Sequence, residues 1–190
     1  MLDFDPINHT YRVDGVVVPS VTQVLKSVGL INFSGIDALT LKRAADFGVA
    51  VHYACHLDDI DDLDESTLDD TLKPDLGAWR AFKGPKDDPM FFRQLETPIY
   101  SPVYQFAGTP DRISGQVIID IKTGTTVYPV TALQLAGYAV LADRPTARRL
   151  AVQLKPDGKY QIHEYKDRKD REIFLACLAI YNWRIKNETM

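Results

Sequence analysis

The densest run of chemically capable residues in the chain is FAGTPDRISGQVIIDIKTG, residues 106–124. Ser114-Gly115 reads as a tight turn between two strands. A two-residue loop there sets Ile113 opposite Gln116, Asp111 opposite Ile118 and Thr109 opposite Asp120. Side chains alternate along a strand, so Thr109, Asp111, Ile118, Asp120 and Lys122 share one face, and Val117, Ile119 and Ile121 enter the core from the other. Asp111 and Asp120 are then diagonal neighbours, with Cβ atoms roughly 7 Å apart. Two carboxylates converging from there could grip one hard cation at ~2.1 Å per oxygen. Lys122, on the same face, would orient a water or neutralise charge developing on a phosphorus atom. A surface salt bridge would explain one acid and one base, but this face carries two acids and one base. Like charges on neighbouring strands repel unless something positive lies between them. Pro110 lacks a backbone donor, which predicts an edge or bulge that re-aims the strand.

Two further groups flank this segment. Gln134 and Tyr138 are four residues apart on a helical stretch, so they project from one face. Taken alone they read as a core-flanking amide and a buried phenol. His52 lies on an earlier helix, where a lone histidine reads as packing. Cys55 and His56 follow within a turn, and read as bystanders rather than a transition-metal site.

Gly108-Thr109-Pro110-Asp111, Asp120-Ile121-Lys122-Thr123-Gly124 and Gln134-Leu135-Ala136-Gly137-Tyr138, with Gly48-Val49-Ala50-Val51-His52 upstream, resemble the PD-(D/E)XK nuclease superfamily. The likeness is to its RecB-type and lambda-exonuclease-like branch, including small phage-borne nucleases, and spans about residues 20–140. It implies a restriction-endonuclease-like core, with a central mixed sheet whose antiparallel hairpin carries the active site between flanking helices. It implies a DNA nuclease in which Asp111, Asp120 and Lys122 are catalytic. His52, Asp111, Asp120 and the Ile121 carbonyl would hold Mg²⁺ or Mn²⁺. Glu96, on the preceding strand, either joins that metal shell or is a solvent-facing carboxylate. Gln134 and Tyr138 would contact the DNA backbone and brace the site, with Arg112, Arg148 and Arg149 as further phosphate contacts. The iron–sulfur variants of this branch need four cysteines; this chain has two, so no cluster is expected. The resemblance implies exonuclease work in phage or bacterial recombination and repair. Its partners would be DNA and either a ring of identical subunits or a phage single-strand annealing protein. A structure-specific endonuclease and a non-catalytic nucleic-acid-binding or interaction module remain the alternatives.

The elements that must position these groups follow from periodicity. Residues 10–18 read as a hairpin turning on Asp14-Gly15, and Ser20 as the N-cap of a helix carrying Val21, Val24, Leu25 and Val28. A second helix is expected over about 37–57, with Leu39, Leu41, Ala44, Ala45, Val49, Val51 and Ala54 as its apolar positions. Residues 58–70 hold eight acids and no base. They read as a solvated loop, with docking through Ile60, Leu63 and Leu68 or gating of DNA as alternatives. No frame in them has the Gly and Glu of a calcium loop. A short helix follows at 74–83, bearing Trp79 and Phe82, and Pro85 and Pro89 bracket a loop. Strands are expected at Phe91–Tyr100, Tyr104–Ile113, Gln116–Lys122, Arg149–Leu154 and Lys159–Tyr165. Helices are expected at about 130–142 and 168–187, the latter with Ile173, Phe174, Cys177, Leu178, Ile180, Tyr181 and Trp183 as its apolar face.

This order predicts one mixed α/β domain over 1–190, with helices on a largely antiparallel sheet. Its parts are an N-terminal hairpin and helices (about 1–90), a catalytic core (about 91–165) and the C-terminal helix. Of 190 residues, 45% are hydrophobic and 25% charged, which fits an ordinary globular domain. Two cysteines, no long apolar run and an acidic N-terminus without signal-peptide organisation predict a cytoplasmic protein with no membrane association, and the resemblance implies that the cell is bacterial or a phage-infected host. The formal charge of −4 is uneven. Residues 1–95 hold 9 Lys/Arg against 16 Asp/Glu, and residues 96–190 hold 13 against 10, so the acidic total does not exclude a polyanionic ligand.

Overall fold

The computed structural model describes residues 1–6, 8–84 and 94–187. The expected loop at Pro85 and Pro89, and the first three residues of the strand expected at Phe91–Tyr100, lie outside them. The chain begins with three strands, β1 (Leu2–Asp5), β2 (Thr10–Val13) and β3 (Val16–Val18), paired antiparallel in that order. The β2–β3 hairpin closes on Asp14-Gly15 as its sequence requires, and β1 adds a strand the periodicity did not show. Helix α1 (Val21–Ser27) starts in a capping box: Ser20 Oγ accepts from Gln23 N, and Gln23 Oε1 accepts from Ser20 N.

Helices α2 (Ala38–Asp59) and α3 (Lys73–Lys83) follow. Then come β4 (Gln94–Leu95), β5 (Ile99–Ser101), β6 (Phe106–Gly108), β7 (Arg112–Ser114) and β8 (Val117–Lys122). Helix α4 (Thr131–Leu141), β9 (Arg148–Leu154), β10 (Tyr160–Tyr165) and α5 (Lys169–Asn187) complete the order. The main sheet runs β10-β9-β8-β7-β4, and β5-β6 form a separate pair. Three of the four strand pairs in the main sheet are antiparallel, but β8 and β9 are parallel. That pair needs the crossover that α4 supplies.

Both faces of this sheet are buried. Ile113, Ile118 and Ala151 pack with α1, α4 and α5 through Val24, Leu25, Leu135 and Phe174. Val117, Ile119, Ile121, Leu150 and Val152 pack with α2 and α3 through Val51, Cys55, Leu76 and Trp79. The face expected to be polar is thus apolar at Ile118 and polar only where β8 ends. The strand expected at Tyr104–Ile113 is broken at Thr109-Pro110-Asp111, where Pro110 cannot donate, and that at Phe91–Tyr100 is interrupted between Leu95 and Ile99.

Helix α2 departs from its expected packing. Val51, Ala54, Cys55 and Asp59 are buried, but Leu39 is 55% and Val49 71% exposed. Only the last turns of α2 lie on the sheet. In α5 the buried set is Phe174, Cys177 and Leu178, while Ile173, Ile180 and Trp183 stay exposed.

The acidic stretch is solvated over most of residues 60–70, as expected, but its first two acids are not part of a loop. Asp58 and Asp59 end α2, and Asp64 and Asp69 cap two short 3₁₀ turns. Leu63, Leu68 and Leu72 pack against the α2–α3 core. Asp59 is buried and collects three donors: Arg112 Nε at 2.7 Å, Lys83 Nζ at 2.7 Å and Trp79 Nε1 at 2.9 Å. Asp58 accepts from Arg80 Nε at 2.8 Å and Lys83 Nζ at 2.6 Å. Two of the eight acids, Asp58 and Asp59, therefore tie α2, α3 and β7 together.

Removing Asp59 would strand Arg112, which is fully buried. Asp59→Ala is expected to cost about 3–5 kcal/mol in a urea titration. Burial opposes ionisation of Asp58, but Arg80 and Lys83 win and hold its carboxyl below the ordinary range. Its contribution is therefore present above the ordinary carboxylate pKa and lost as pH falls through the folded-state value. Asp58→Asn should flatten that acid limb of stability against pH.

Candidate functional site

The hairpin that carries the site turns on Gly115-Gln116, not Ser114-Gly115. Ser114 pairs with Val117, Ile113 with Ile118 and Arg112 with Ile119. Gly115 takes φ +52°, the left-handed region that two-residue hairpin turns favour. Carried one step further, this register sets Asp111 directly across from Asp120 rather than diagonal to it. Directly opposed positions are closer, with Cβ atoms about 5 Å apart. Asp111 itself lies at the bend just before β7, and its side chain turns to the Ile121 N–H, next to Asp120 in the chain.

Asp111 sits at the bend after Pro110, between β6 and β7. Its Oδ2 accepts the Ile121 N–H at 2.6 Å, and its Oδ1 lies 3.4 Å from His52 Nδ1. The other nitrogen of His52, Nε2, is 3.1 Å from the Ile121 carbonyl oxygen. The imidazole bridges two groups expected to hold a cation. Burial disfavours the imidazolium, but the Asp111 carboxylate, with Asp120 and Glu96 behind it, raises the His52 pKa above its ordinary value. Burial likewise opposes ionisation of Asp111, yet His52, the Ile121 N–H and Lys122 hold its pKa below the usual range.

Asp120 is nearly enclosed, at 2% exposure. Burial, with Asp111 alongside, pushes its pKa up against the pull of Lys122. Its Oδ2 lies 2.6 Å from Lys122 Nζ as an ion pair, and accepts no directed hydrogen bond. Lys122 in turn donates to Gln134 Oε1 at 3.1 Å, and Gln134 Nε2 donates to the Tyr138 hydroxyl at 3.1 Å. One turn of α4 therefore fixes where the ammonium points. Burial, together with Asp120 and Asp111, keeps the Tyr138 phenol protonated far above its ordinary range.

Close packing sets α4 at this distance. A Cβ on Gly108 would lie 2.9 Å from Leu141 Cδ1 and 3.1 Å from Tyr138 Cε1, so the bare glycine lets β6 approach α4. Tyr11 of β2 adds a brace from the other side, its hydroxyl 2.8 Å from Thr109 Oγ1.

The remaining expected residues lie apart. Glu96 accepts from Arg112 NH1 at 3.0 Å, and Arg112 also donates to the Asp111 main-chain carbonyl at 2.7 Å. Arg112 has no exposed surface, so it cannot contact phosphate. Strand alternation puts it on the face of Ile119, a signal present in the sequence whichever residues form the turn. Arg149 is also buried, held by Asp170 at 2.9 Å and the Asp167 carbonyl at 2.7 Å. Arg148 is exposed but pairs with Glu164 of the neighbouring strand at a second cleft, away from the carboxylates, which Lys166, Arg168 and Arg171 also line with Asp167 and Glu172. Cys55 lies in the core with its thiol pushed up by burial. Sequence reasoning missed Asp59, although its place four residues after Cys55 and eight after Val51 is the buried face of α2.

Among the described residues no three His, Cys, Asp or Glu side chains converge as a ready metal site. The donors do suit a hard cation: two carboxylates on adjacent strands, a main-chain carbonyl, and a buried Asp120 oxygen satisfied only by a displaceable ammonium. All open into one cleft of about 920 Å³, walled by α1, the α1–α2 connection, α2 and the β8–α4 connection. No helix among the described residues is long and apolar enough to cross a membrane. Comparison of the chain with known protein families and with curated proteins gives no match. Asp111→Asn should lower the His52 pKa toward its ordinary value, so that the ring loses its proton earlier as pH rises. Histidine ring shifts followed by NMR would measure it.

Proposed function

We propose that this protein is a metal-dependent DNA nuclease built on a restriction-endonuclease-like core, acting as an exonuclease in phage or bacterial DNA recombination or repair. The observation that supports it best is the pair of opposed carboxylates, Asp111 and Asp120, with Lys122 aimed by Gln134 at the mouth of one cleft. A half-buried Asp111 beside a buried Asp120 brings two acids together with one lysine and one histidine between them. The arrangement suits a site whose positive partner is bound from solution.

Asp111, Asp120 and the Ile121 carbonyl are the groups that would hold Mg²⁺ or Mn²⁺, with His52 against two of them. When bound, such an ion lowers the pKa of an attacking water and neutralises phosphate charge. The chain's own residues do the rest. Lys122 is held between Asp120 and Gln134, so its ammonium is positioned before substrate arrives, and it donates toward the phosphate oxygen on which charge grows. Gln134 and Tyr138 are positioning residues, and His52 fixes Asp111 and the Ile121 carbonyl relative to each other. Arg112 acts from behind, through the Asp111 main chain and Glu96.

The first experiment compares linear with closed-circular DNA in Mg²⁺ and Mn²⁺. Digestion of linear DNA alone is expected; cutting of circles would make the protein an endonuclease. Lys122→Ala should abolish cleavage while leaving DNA affinity within a few-fold, because its contact is made mainly in the transition state. Cleavage at the wild-type rate in that variant would reduce Lys122 to a salt-bridge partner. In thermal melts Mn²⁺ should raise the Tm of the wild type and much less that of Asp120→Ala. The metal-free Asp120→Ala protein should lose the Asp111–Asp120 repulsion.

A further inference from the structure

We infer that the cleft takes a single strand of DNA, with unpaired bases stacked on Phe33 and Tyr128, rather than a duplex. The inference rests on the nuclease reading for the same site and names the form of its substrate. Its first support is the character of the cleft beyond the carboxylates. Phe33, in the connection between α1 and α2, is 45% exposed, and Tyr128, between β8 and α4, is 55% exposed. Both line the cleft that holds Asp111, Asp120 and Lys122. Leu30 and Val127 lie beside them in that lining.

Neither ring stacks on another aromatic ring among the described residues, and neither is packed into a core cluster. A base in a duplex has both faces covered by its neighbours. Inside a duplex an aromatic side chain reaches a base face only at the terminal pair or by prying steps apart, whereas every base of a single strand offers its faces freely. Exposed rings beside a hydrolytic site therefore suit unpaired bases.

The charge of the cleft points the same way. A duplex carries one negative charge per ~1.7 Å of axis, and its binding is dominated by lysine and arginine tracks along the backbone. In this cleft Lys122 is engaged by Asp120 and Gln134. Lys26 at the end of α1 is the other cation of the lining among the described residues, and no ion pair holds it. The arginines that could have built a basic track are buried in Arg112 and Arg149, or turned to the second cleft in Arg148. With few cations, affinity must come from stacking, which is insensitive to base identity and contributes roughly 1–3 kcal/mol per base. A volume of about 920 Å³ is at the upper end of small-molecule pockets, enough for a short run of nucleotides.

The test compares a short single-stranded oligonucleotide, the blunt duplex of the same sequence, and the same strand with abasic spacers in place of its bases. Affinity is read by fluorescence anisotropy with Ca²⁺ in place of Mg²⁺, and cleavage is read separately in Mg²⁺ and Mn²⁺. The single strand is expected to bind at least about tenfold more tightly than the duplex. Phe33→Ala and Tyr128→Ala should each weaken single-strand binding by roughly 5- to 100-fold. The abasic strand should bind weakly and be indifferent to both substitutions. Tyr128→Phe and Phe33→Trp, which keep the rings, should retain affinity, and both positions are exposed enough that folding is not at stake. Equal binding of duplex and single strand, or unchanged single-strand binding in both alanine variants, overturns the inference. If the strand binds by its bases but is not cut in either metal, the stacking stands and the nuclease reading falls. If duplex is cut and the alanine variants degrade single strands at the wild-type rate, the nuclease reading stands and the stacking falls.

Discussion

The interior of this protein is organised around one guanidinium. Arg112 has no exposed surface, and a buried charge of that kind is tolerated only if it is paired and hydrogen-bonded. Its Nε meets Asp59 of α2, its NH1 meets Glu96 and the Asp111 carbonyl, and its carbon centre lies 5.4 Å from the Trp79 ring centroid. Each of those contacts belongs to a different element. The bend at Asp111, the end of α2, the start of α3's aromatic face and the turn after β4 are all set by where this side chain finds partners. Asp59 is shared with Lys83 and Trp79, so the pairing extends into a network rather than ending as an isolated pair.

The face of the hairpin opposite Arg112 carries a second charge problem, and it is left unsolved by intent of the fold's geometry. Asp111 and Asp120 face each other across β7 and β8, and the local answer is partition. His52 and the Ile121 N–H stabilise Asp111 as the ion, while Asp120 keeps only Lys122. The pKa directions diverge accordingly: Asp111 is held down and Asp120 is pushed up, burial being the larger opposing or driving cause in each. Two acids in near-identical strand positions thus have different proton affinities.

The layered core explains why the cleft is where it is. The sheet is covered on both faces along β8 and β9, and along β8 only Lys122, the last residue, is partly exposed. The first half of α2 runs clear of the sheet, with Val49 and Leu39 in solvent, and so forms a wall instead of a lid on the core. The connections after α1 and after β8 complete the opening and bring exposed aromatic rings to it.

The sequence alone determined the element types, because their signals are local. Ser20 and Gln23 cap α1, Asp14-Gly15 turns the first hairpin, and Pro110 breaks its strand through a missing donor. It also determined the grouping of Asp111, Asp120 and Lys122, since strand alternation permits no other order. Tertiary structure decided what depends on distant partners. The turn of the β7–β8 hairpin fell one residue later than expected, which moved each cross-strand partner by two residues and left every side chain on its expected face. Asp58 and Asp59 became part of a structural network at the end of α2, because Arg112, 53 positions from Asp59, needed an acid in the core, while the acids of residues 61–70 stay exposed. Arg112 and Arg149 look like any surface arginine in the one-dimensional chain. Only the enclosure of the sheet by helices on both faces turned them inward, since a charge can be buried only where the fold has already assembled its counter-charge.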